Sequence, residues 1–270
     1  TSKNLNCISR GLGRSYGDAA QLNENFVFNL DFCNKISLSG NEVNVGGGVS
    51  INRLLEVIIP QGYFLPVSPG SSKVTIAGAI AADVHGKNHH KDGSLGNHIK
   101  RILIITSKGE IKELRPYKEA DKKMDDFFWA TIGGMGLTGI ILEATISLVK
   151  IETASMKVDT FICNNLDSLM DLMSTKDKEY SYSVAWIDSL NKNSRGVLTC
   201  AEHAKIEDIK NIKKDLLLYN PKTVGSASKF IPNGILNKFT VKAFNEVWFR
   251  KSASLNNNIQ TISEFFHPLD

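Results

Sequence analysis

Ser68-Pro-Gly-Ser-Ser-Lys-Val-Thr-Ile-Ala-Gly-Ala-Ile-Ala-Ala-Asp-Val-His-Gly-Lys-Asn-His-His90 is the stretch on which the reading of this chain turns. Residues 68 to 82 are almost all small, aliphatic or hydroxylic, and a polar burst follows with Asp83, His85, Lys87, Asn88, His89 and His90. Small residues let a backbone approach a ligand closely, because no side chain stands in the way. The burst offers hydrogen-bond donors, a fixed cation and titratable imidazoles. A main-chain cradle that runs straight into reactive groups is the pattern of a cofactor held by backbone, with chemistry at one end.

Upstream lies a glycine-rich loop, Arg10-Gly-Leu-Gly-Arg-Ser-Tyr-Gly-Asp18. Its glycines, two arginines and serine suit an anion nest of backbone N–H groups, and guanidinium suits phosphate oxygens. A tight surface turn is the alternative, since GxGxxG-like spacing alone is weak. Phe26–Leu30 and Glu42–Val45 read as strands. Ser50 is expected to cap a helix through Ile59 with Leu54, Leu55 and Ile58 on one face, stopped by Pro60 and Gly62.

Downstream, Arg101–Thr106 is a buried-strand candidate, and Ile111–Leu114 pairs back on it as a hairpin. Asp121–Thr131 reads as a helix with Met124, Phe127 and Phe128 inward; a second glycine-rich turn, Ile132–Gly139, leads into a strand over Ile140–Val149. Composition shifts near residue 150, where glycines thin out and Asn, Lys and Ser increase. Asn165 is expected to cap a helix with Leu166, Leu169, Met170 and Met173 as its apolar stripe. Tyr180–Ile187, which contains Trp186, pairs with Arg195–Cys200, and Ile206–Leu217 reads as a Lys-rich amphipathic helix with a solvated basic face.

The 270 residues suffice for one large or two ordinary domains. A net charge of +4, with no Lys/Arg run longer than two, argues against nucleic-acid binding. No apolar stretch is long enough for a membrane span, and the first residues lack a secretion-signal pattern. Cys7, Cys33, Cys163 and Cys200 are scattered, which fits reduced core residues in a reducing compartment better than a disulfide framework.

Four histidines, His85, His89, His90 and His98, crowd the region after the cradle. Their spacing matches no usual zinc site, no cysteine is near, and no metal is expected. Lys87, two residues from His85, would share its side in a strand; a cation beside an imidazole suits stabilising a reduced, anionic cofactor or orienting a hydroxyl. A surface lysine and structural histidines are the bland readings. The hydrolase elbow Gly-x-Ser-x-Gly is absent, and Gly11–Gly17 lacks the spacing and following helix of a Rossmann fold.

Three blocks together carry a resemblance: Arg10–Asp18; Pro69-Gly-Ser with Ala77-Gly-Ala-Ile-Ala-Ala-Asp-Val-His-Gly-Lys-Asn-His-His90 and Gly93-Ser-Leu-Gly-Asn-His98; and Phe128-Trp-Ala-Thr-Ile-Gly-Gly-Met-Gly-Leu-Thr-Gly139. The chain resembles the FAD-linked oxidoreductases of the vanillyl-alcohol-oxidase type, with a PCMH-type FAD-binding domain. It is most similar to the branch that oxidises polyprenyl-phosphate-linked ribose, the flavoprotein half of a ribose-to-arabinose epimerase serving cell-wall arabinan synthesis. The likeness continues through Tyr182–Asp188, Phe230–Lys238 and Glu246–Lys251.

The resemblance implies an α+β fold. Residues 1–150 would be a two-subdomain FAD-binding domain lacking its N-terminal part, and 151–270 an antiparallel-sheet substrate domain lacking its C-terminal part. Gly11, Gly13, Arg14 and Ser15 would hold the FAD pyrophosphate. Pro69, Gly70, Ser71, Gly78 and Ala79 would line the flavin, with Ala82, Val84, His85 and Gly86 continuing that lining; Gly134, Gly139 and Ile140 would close over the nucleotide. His85 and Lys87 would act on the substrate, with Tyr16, Trp186 and Asn88 binding it. Arg14 stands where several family members carry the histidine that bonds to the flavin, so FAD is expected to be non-covalent, and Ala77 stands where relatives often carry glycine.

The implied reaction is oxidation of a secondary hydroxyl, at C2 of the lipid-linked ribose, to a keto sugar by hydride transfer to flavin. A soluble aldonolactone or alditol oxidase and a truncated FAD-binding module without turnover are the alternatives. A lipid-linked or free sugar, an NAD-dependent reductase that completes the epimerisation, and a peripheral membrane contact are the implied partners. The implied location is the cytoplasm or the membrane periphery.

Overall fold

The computed structural model describes residues 7–23, 26–116, 122–209, 215–221, 234–252, 258–268 and 270. It divides into two compact units: the first comprises residues up to Ile151 with Leu217–Tyr219 and Asp270, and the second comprises Glu152–Leu216 and Asn220–Leu269.

The first unit opens with a parallel pair, β1 (Cys7–Arg10) and β2 (Phe26–Asn29). Then come β3 (Ile36–Ser39), β4 (Glu42–Gly46), α1 (Ile51–Ile58) and β5 (Tyr63–Phe64). The expected helix after Ser50 forms: Ser50 Oγ accepts from Arg53 N at 3.1 Å, and Ile51, Leu54, Leu55 and Ile58 are buried. A 3-10 turn carrying Pro60 ends it at Gly62, whose φ of 79° suits glycine.

The quoted stretch supplies α2 (Ile76–Ala81) and α3 (His89–Asp92), and β6 (Ile99–Ile105), β7 (Ile111–Leu114), α4 (Lys122–Thr131), β8 (Ile140–Ser147) and β9 (Val149–Lys150) complete the unit. Its main sheet runs β3-β4-β8-β6-β7, with every pair antiparallel. Alternation decides its buried face, with Val43 and Val45, Ile102 and Ile104, and Ala144 and Ile146 all inside. On that face α2 packs against β8 and β4, burying Ile76 and Ile80. In α4, Phe128 is fully buried and Phe127 half-buried, whereas the side chain of Met124 lies outside those described. The strand expected to run to Val149 breaks at Leu148, and Val149–Lys150 turns away to pair with β5.

The second unit is built on the antiparallel sheet β11-β12-β10-β13, formed by β10 (Ser155–Cys163), β11 (Tyr182–Ile187), β12 (Gly196–His203) and β13 (Asn258–Thr261). Its helices are α5 (Leu166–Lys176), α6 (Lys238–Ser252) and α7 (Ile262–Phe266). Asn165 caps α5 as expected, accepting from Ser168 N at 2.8 Å. The expected stripe is shifted, however: Leu169 is buried against Cys163, Leu198 and Cys200, with Leu172 and Met173 half-buried beside it, while Leu166 and Met170 are exposed. The packing arc is centred on Leu169, and its i+3 and i+4 neighbours share that face.

Ile206–Leu217 does not form the expected helix over its described residues. Ile206–Asp208 is one 3-10 turn, and Ile209 leaves it extended at φ −91° and ψ 101°. Local polar ties outweigh the periodicity. Asp208 accepts from Lys205 N at 3.0 Å and pairs with Lys157 at 2.8 Å; Glu152 accepts from Ile206 N; and Leu216 O accepts from Ala154 N at 2.7 Å. Residues 210–214 lie outside the described set.

Two of the cysteines, Cys163 and Cys200, are core residues, and burial pushes the Cys200 thiol up to about 12. Cys7 departs from that reading, because it is exposed on β1. No described helix is long and apolar enough to cross a membrane.

Candidate active site

The short helix α2 is the point on which the glycine-rich loops of the first unit converge. Thr75 starts it: the side chain accepts from Gly78 N at 3.2 Å, the usual N-cap bond. Its backbone is tied to the turn after β4, with Ile76 N to Val49 O at 2.8 Å and Ala77 N to Gly47 O at 2.9 Å. Ala77, at the position where the resemblance pointed to glycine in relatives, sits inside an ordinary helix. Its methyl is accommodated because residue 47 is glycine: a Cβ there would lie 3.1 Å from the Ala77 Cβ.

The loop after β1 passes over the start of this helix. Gly11 lies against the Thr75 side chain so closely that an added Cβ would meet Oγ1 and stand 2.9 Å from Cγ2. Gly13 and Gly17 have φ near +60°, and the Arg10 guanidinium lies over Gly13. Arg14, Ser15 and Tyr16 are exposed, Tyr16 at 99%.

The second glycine-rich turn docks on the other end of α2. Gly133 N donates to Ile80 O at 3.0 Å and Met135 N donates to Ala81 O at 2.8 Å. Met135, Gly136 and Gly139 all adopt positive φ. Within this turn the Thr138 hydroxyl is buried and has no protein partner. Ala79 is buried, whereas Gly78 and Ala82 are exposed. The two glycine-rich loops thus flank a helix whose accessible side carries hydrogen or methyl only, which is the surface a flat ligand needs.

Past α2 the chain turns sharply at Asp83, φ 42°, whose carboxylate accepts from Gly96 N at 2.9 Å. Val84 N donates to Ala79 O, and Leu95 N to Val84 O. Gly86 is pressed against Ser68, since a Cβ there would lie 2.8 Å from Ser68 O. Pro69 is half-buried, Gly70 is exposed with open space over its Cα, and Ser71 Oγ donates to Asp270 Oδ1 at 2.7 Å. Gly134 is packed on Ala130 O, Gly139 on Ile105 O, and Ile140 begins β8.

Segment 85–87 is not a strand, so strand alternation does not set the directions of His85 and Lys87. His85 makes a single antiparallel bridge to Ser94 and is exposed, its ring edge-on to His89 at 5.5 Å. Lys87 is tucked into the protein, and desolvation lowers its pKa from 10.5 to about 8. Asn88, anticipated as a substrate contact, is fully buried; its amide donates to Pro66 O at 2.7 Å and to Asp92 Oδ2 at 2.6 Å. It pins the Lys87 segment to the cradle. His98 is held by Asp92 O at 3.1 Å. Among the described residues no three His, Cys, Asp or Glu side chains converge as a metal site. Trp186 stands half-buried on β11 in the second unit.

Thr75, Gly47 and Thr138 were not singled out from the sequence. Thr75 was detectable as an N-cap before a small-residue helix; the close approach at Gly47 and the orphaned Thr138 hydroxyl depend on tertiary contacts. The side-chain-free surface, the glycine nest with its arginines and a buried hydroxyl awaiting an acceptor or donor fit a dinucleotide held largely by main chain.

Comparison with known proteins agrees. Residues 1–115 match a family model described as FAD binding domain. The chain is 40% identical, over 97% of its length and 58% of the relative's, to decaprenylphosphoryl-beta-D-ribose oxidase of Mycolicibacterium smegmatis. It is 34% identical, over 59% of its length and 42% of the relative's, to a Streptomyces coelicolor protein described as uncharacterized, in the mprA 5′ region. A D-lactate dehydrogenase of Anaerostipes hadrus is 26% identical over 49% of the chain and 29% of its own length. The chain thus spans under two thirds of the length of these relatives.

Proposed function

Since the chain belongs to the FAD-linked oxidoreductases of the vanillyl-alcohol-oxidase type, we propose that it takes part in oxidising the C2 hydroxyl of a polyprenyl-phosphate-linked ribose to the keto sugar. The observation that carries this reading is 40% identity across 97% of the chain with a relative named as an oxidase of such a ribose. When bound, FAD supplies the two-electron acceptor for the hydride that leaves carbon.

The protein's own part is binding, orientation and charge. Gly11, Gly13, Arg14 and Ser15 hold the pyrophosphate through backbone N–H groups and a guanidinium. Gly70, Gly78, Ala82 and the Thr138 hydroxyl face the rest of the cofactor. Lys87 Nζ donates to the sugar hydroxyl oxygen and steadies negative charge beside the flavin, and His85 orients the same hydroxyl and receives its proton. Tyr16 contacts the sugar. Asn88 acts through Lys87, by holding its segment on Pro66 and Asp92. Arg14 in place of a histidine leaves FAD non-covalent, and an NAD-dependent reductase returns the keto sugar as its epimer.

The test is anaerobic addition of polyprenyl-phosphoribose to the FAD-loaded full chain, followed by visible absorbance. Bleaching of the flavin bands is expected. Bleaching by a free aldonolactone or alditol alone would shift the substrate to a soluble sugar. Yellow protein that no sugar bleaches would reduce the reading to an FAD-binding module.

A further inference from the structure

His89 stands exposed beside His85. It opens α3, the single turn His89–Asp92, and its ring meets the His85 ring edge-on with centres 5.5 Å apart. Successive side chains of a helical turn diverge by about 100°, so His90 and Lys91 leave on other bearings. The backbone under the pair is anchored in the core. Gly86 is pressed on Ser68, where a Cβ would lie 2.8 Å from Ser68 O. Asn88, fully buried, donates to Pro66 O at 2.7 Å, and its main-chain carbonyl accepts from Lys91 N at 3.0 Å and Asp92 N at 2.9 Å. Gly93 N closes the turn on His89 O at 3.1 Å. Polar contacts carried on such fixed backbone start out preorganised.

The local charge favours an anion. Between Asp83 and Asp92 the sequence holds His85, Lys87, His89, His90 and Lys91 and no carboxylate. Both flanking acids are engaged: Asp83 accepts from Gly96 N at 2.9 Å, and Asp92 turns back onto the Asn88 amide at 2.6 Å. The His98 ring is taken by Asp92 O at 3.1 Å. A ribose linked to lipid phosphate through its anomeric carbon carries the phosphodiester on the carbon next to C2. The anion and the reacting hydroxyl therefore stand side by side, and two neighbouring imidazoles can meet both at once. We propose that His89 receives the phosphodiester of the substrate, a ring N–H donating to a phosphate oxygen while the sugar hydroxyl lies at His85 and Lys87. Such a charge-assisted bond is among the stronger hydrogen bonds a side chain makes. The assignment rests on the reading of His85 and Lys87 as the groups at that hydroxyl. It makes His89 the residue that separates a phosphate-linked sugar from a free one.

The experiment is equilibrium dialysis of the FAD-loaded full chain against two probes. One is a short-chain prenyl phosphate of 2-deoxyribose, which has no C2 hydroxyl to oxidise. The other is methyl 2-deoxyriboside, which lacks the phosphate as well. The phosphate-bearing probe is expected to bind more tightly. His89→Ala, at an exposed position, should weaken that binding about tenfold and leave both the FAD content and the binding of the methyl riboside unchanged. Four results would overturn the proposal: a phosphate-bearing probe that binds the unaltered protein no better than the methyl riboside, equal binding of it by His89→Ala, a loss in His89→Ala that extends equally to the methyl riboside, or loss of FAD from that variant. Because neither probe is oxidised, binding through His89 in a protein whose flavin no ribose bleaches sinks the reaction and leaves the phosphate contact standing. Bleaching by polyprenyl-phosphoribose with unaltered probe affinity in His89→Ala does the reverse.

Discussion

Ser71 Oγ donates to the Asp270 carboxylate at 2.7 Å, joining residues 199 positions apart in the chain. The other carboxylate oxygen accepts from Ser72 N and Ser72 Oγ, both at 2.6 Å. One side chain therefore fixes the end of the Pro69-Gly70-Ser71 segment, and the Ser71 hydroxyl is committed to it.

Asp270→Ala should leave buried Ser72 without its acceptor and loosen that segment. A hydrogen bond to a charged group contributes about 1.5–3 kcal/mol, so FAD affinity should fall about tenfold even if only one bond's worth reaches the cofactor. Fluorescence titration of FAD into apoprotein reads this, and an unchanged Kd would separate the Asp270 tie from cofactor binding.

Lys87 sets a pH dependence. Its pKa is lowered from 10.5 to about 8, so below about 8 the amine is charged in the folded protein, and above it the cation is lost. If the cation orients the hydroxyl, the rate of FAD reduction should fall as pH rises through about 8, and Lys87→Ala should abolish that inflection while retaining FAD. Single-turnover reduction across this range decides it. Because the charged form is the disfavoured one in the fold, stability should rise, not fall, between about 8 and 10.5.

Gly11→Ala places a methyl on the Thr75 side chain. Either the nest or the cap of α2 must shift, and FAD binding should weaken by about tenfold or more. Thr75→Ala in the same chain removes the obstacle and loses an N-cap contributing about 1 kcal/mol. Partial recovery of FAD affinity is expected at the expense of thermal stability, and failure of the pair to recover any affinity would place the effect elsewhere.

Arg14 offers no imidazole to the flavin. Acid precipitation of the holoprotein should release all of the FAD to the supernatant; colour remaining in the pellet would contradict non-covalent attachment.

His203 lies in the second unit among Tyr182 and Phe266, and burial lowers its pKa from 6.5 to about 4. The unfolded chain takes up the proton first as pH falls below 6.5. This unit should therefore lose stability progressively between about 6.5 and 4, by up to about 3 kcal/mol. Urea unfolding at neutral and mildly acidic pH measures it, and His203→Gln should flatten the dependence.

Much of this was legible in the residues. Ser50 and Asn165 announced their helices because capping is local, and the β6–β7 hairpin followed from the turn Ser107–Glu110 between a buried apolar run and a second short strand. Small residues at 77–82 and the glycines at 11–17 and 133–139 marked the cradle, because only a ligand or another backbone explains so little side chain. What sequence could not supply was competition between local period and distant polar partners. Ile206–Leu217 has helical spacing, yet Lys157, Glu152 and Ala154 capture its ends. Asn88 sits in a run of polar residues that reads as reactive, yet Pro66, 22 positions earlier, takes its amide inside. The stripe of α5 was misjudged at Leu166 and Met170, which are exposed, because four apolar residues on a helix do not say which arc meets the sheet.

The six residues of α2 carry both glycine-rich loops, one against Thr75 and the other on the carbonyls of Ile80 and Ala81. A helix of that length has little cohesion of its own, and glycines regain much freedom when released. The cradle is therefore a cooperative opening unit: exchange of amide hydrogens with solvent at residues 11–17 and 133–139 should rise and fall together, fast in apoprotein and slowed in concert as FAD binds. Occupancy of the site would then be readable from peptides that need not touch the cofactor at all.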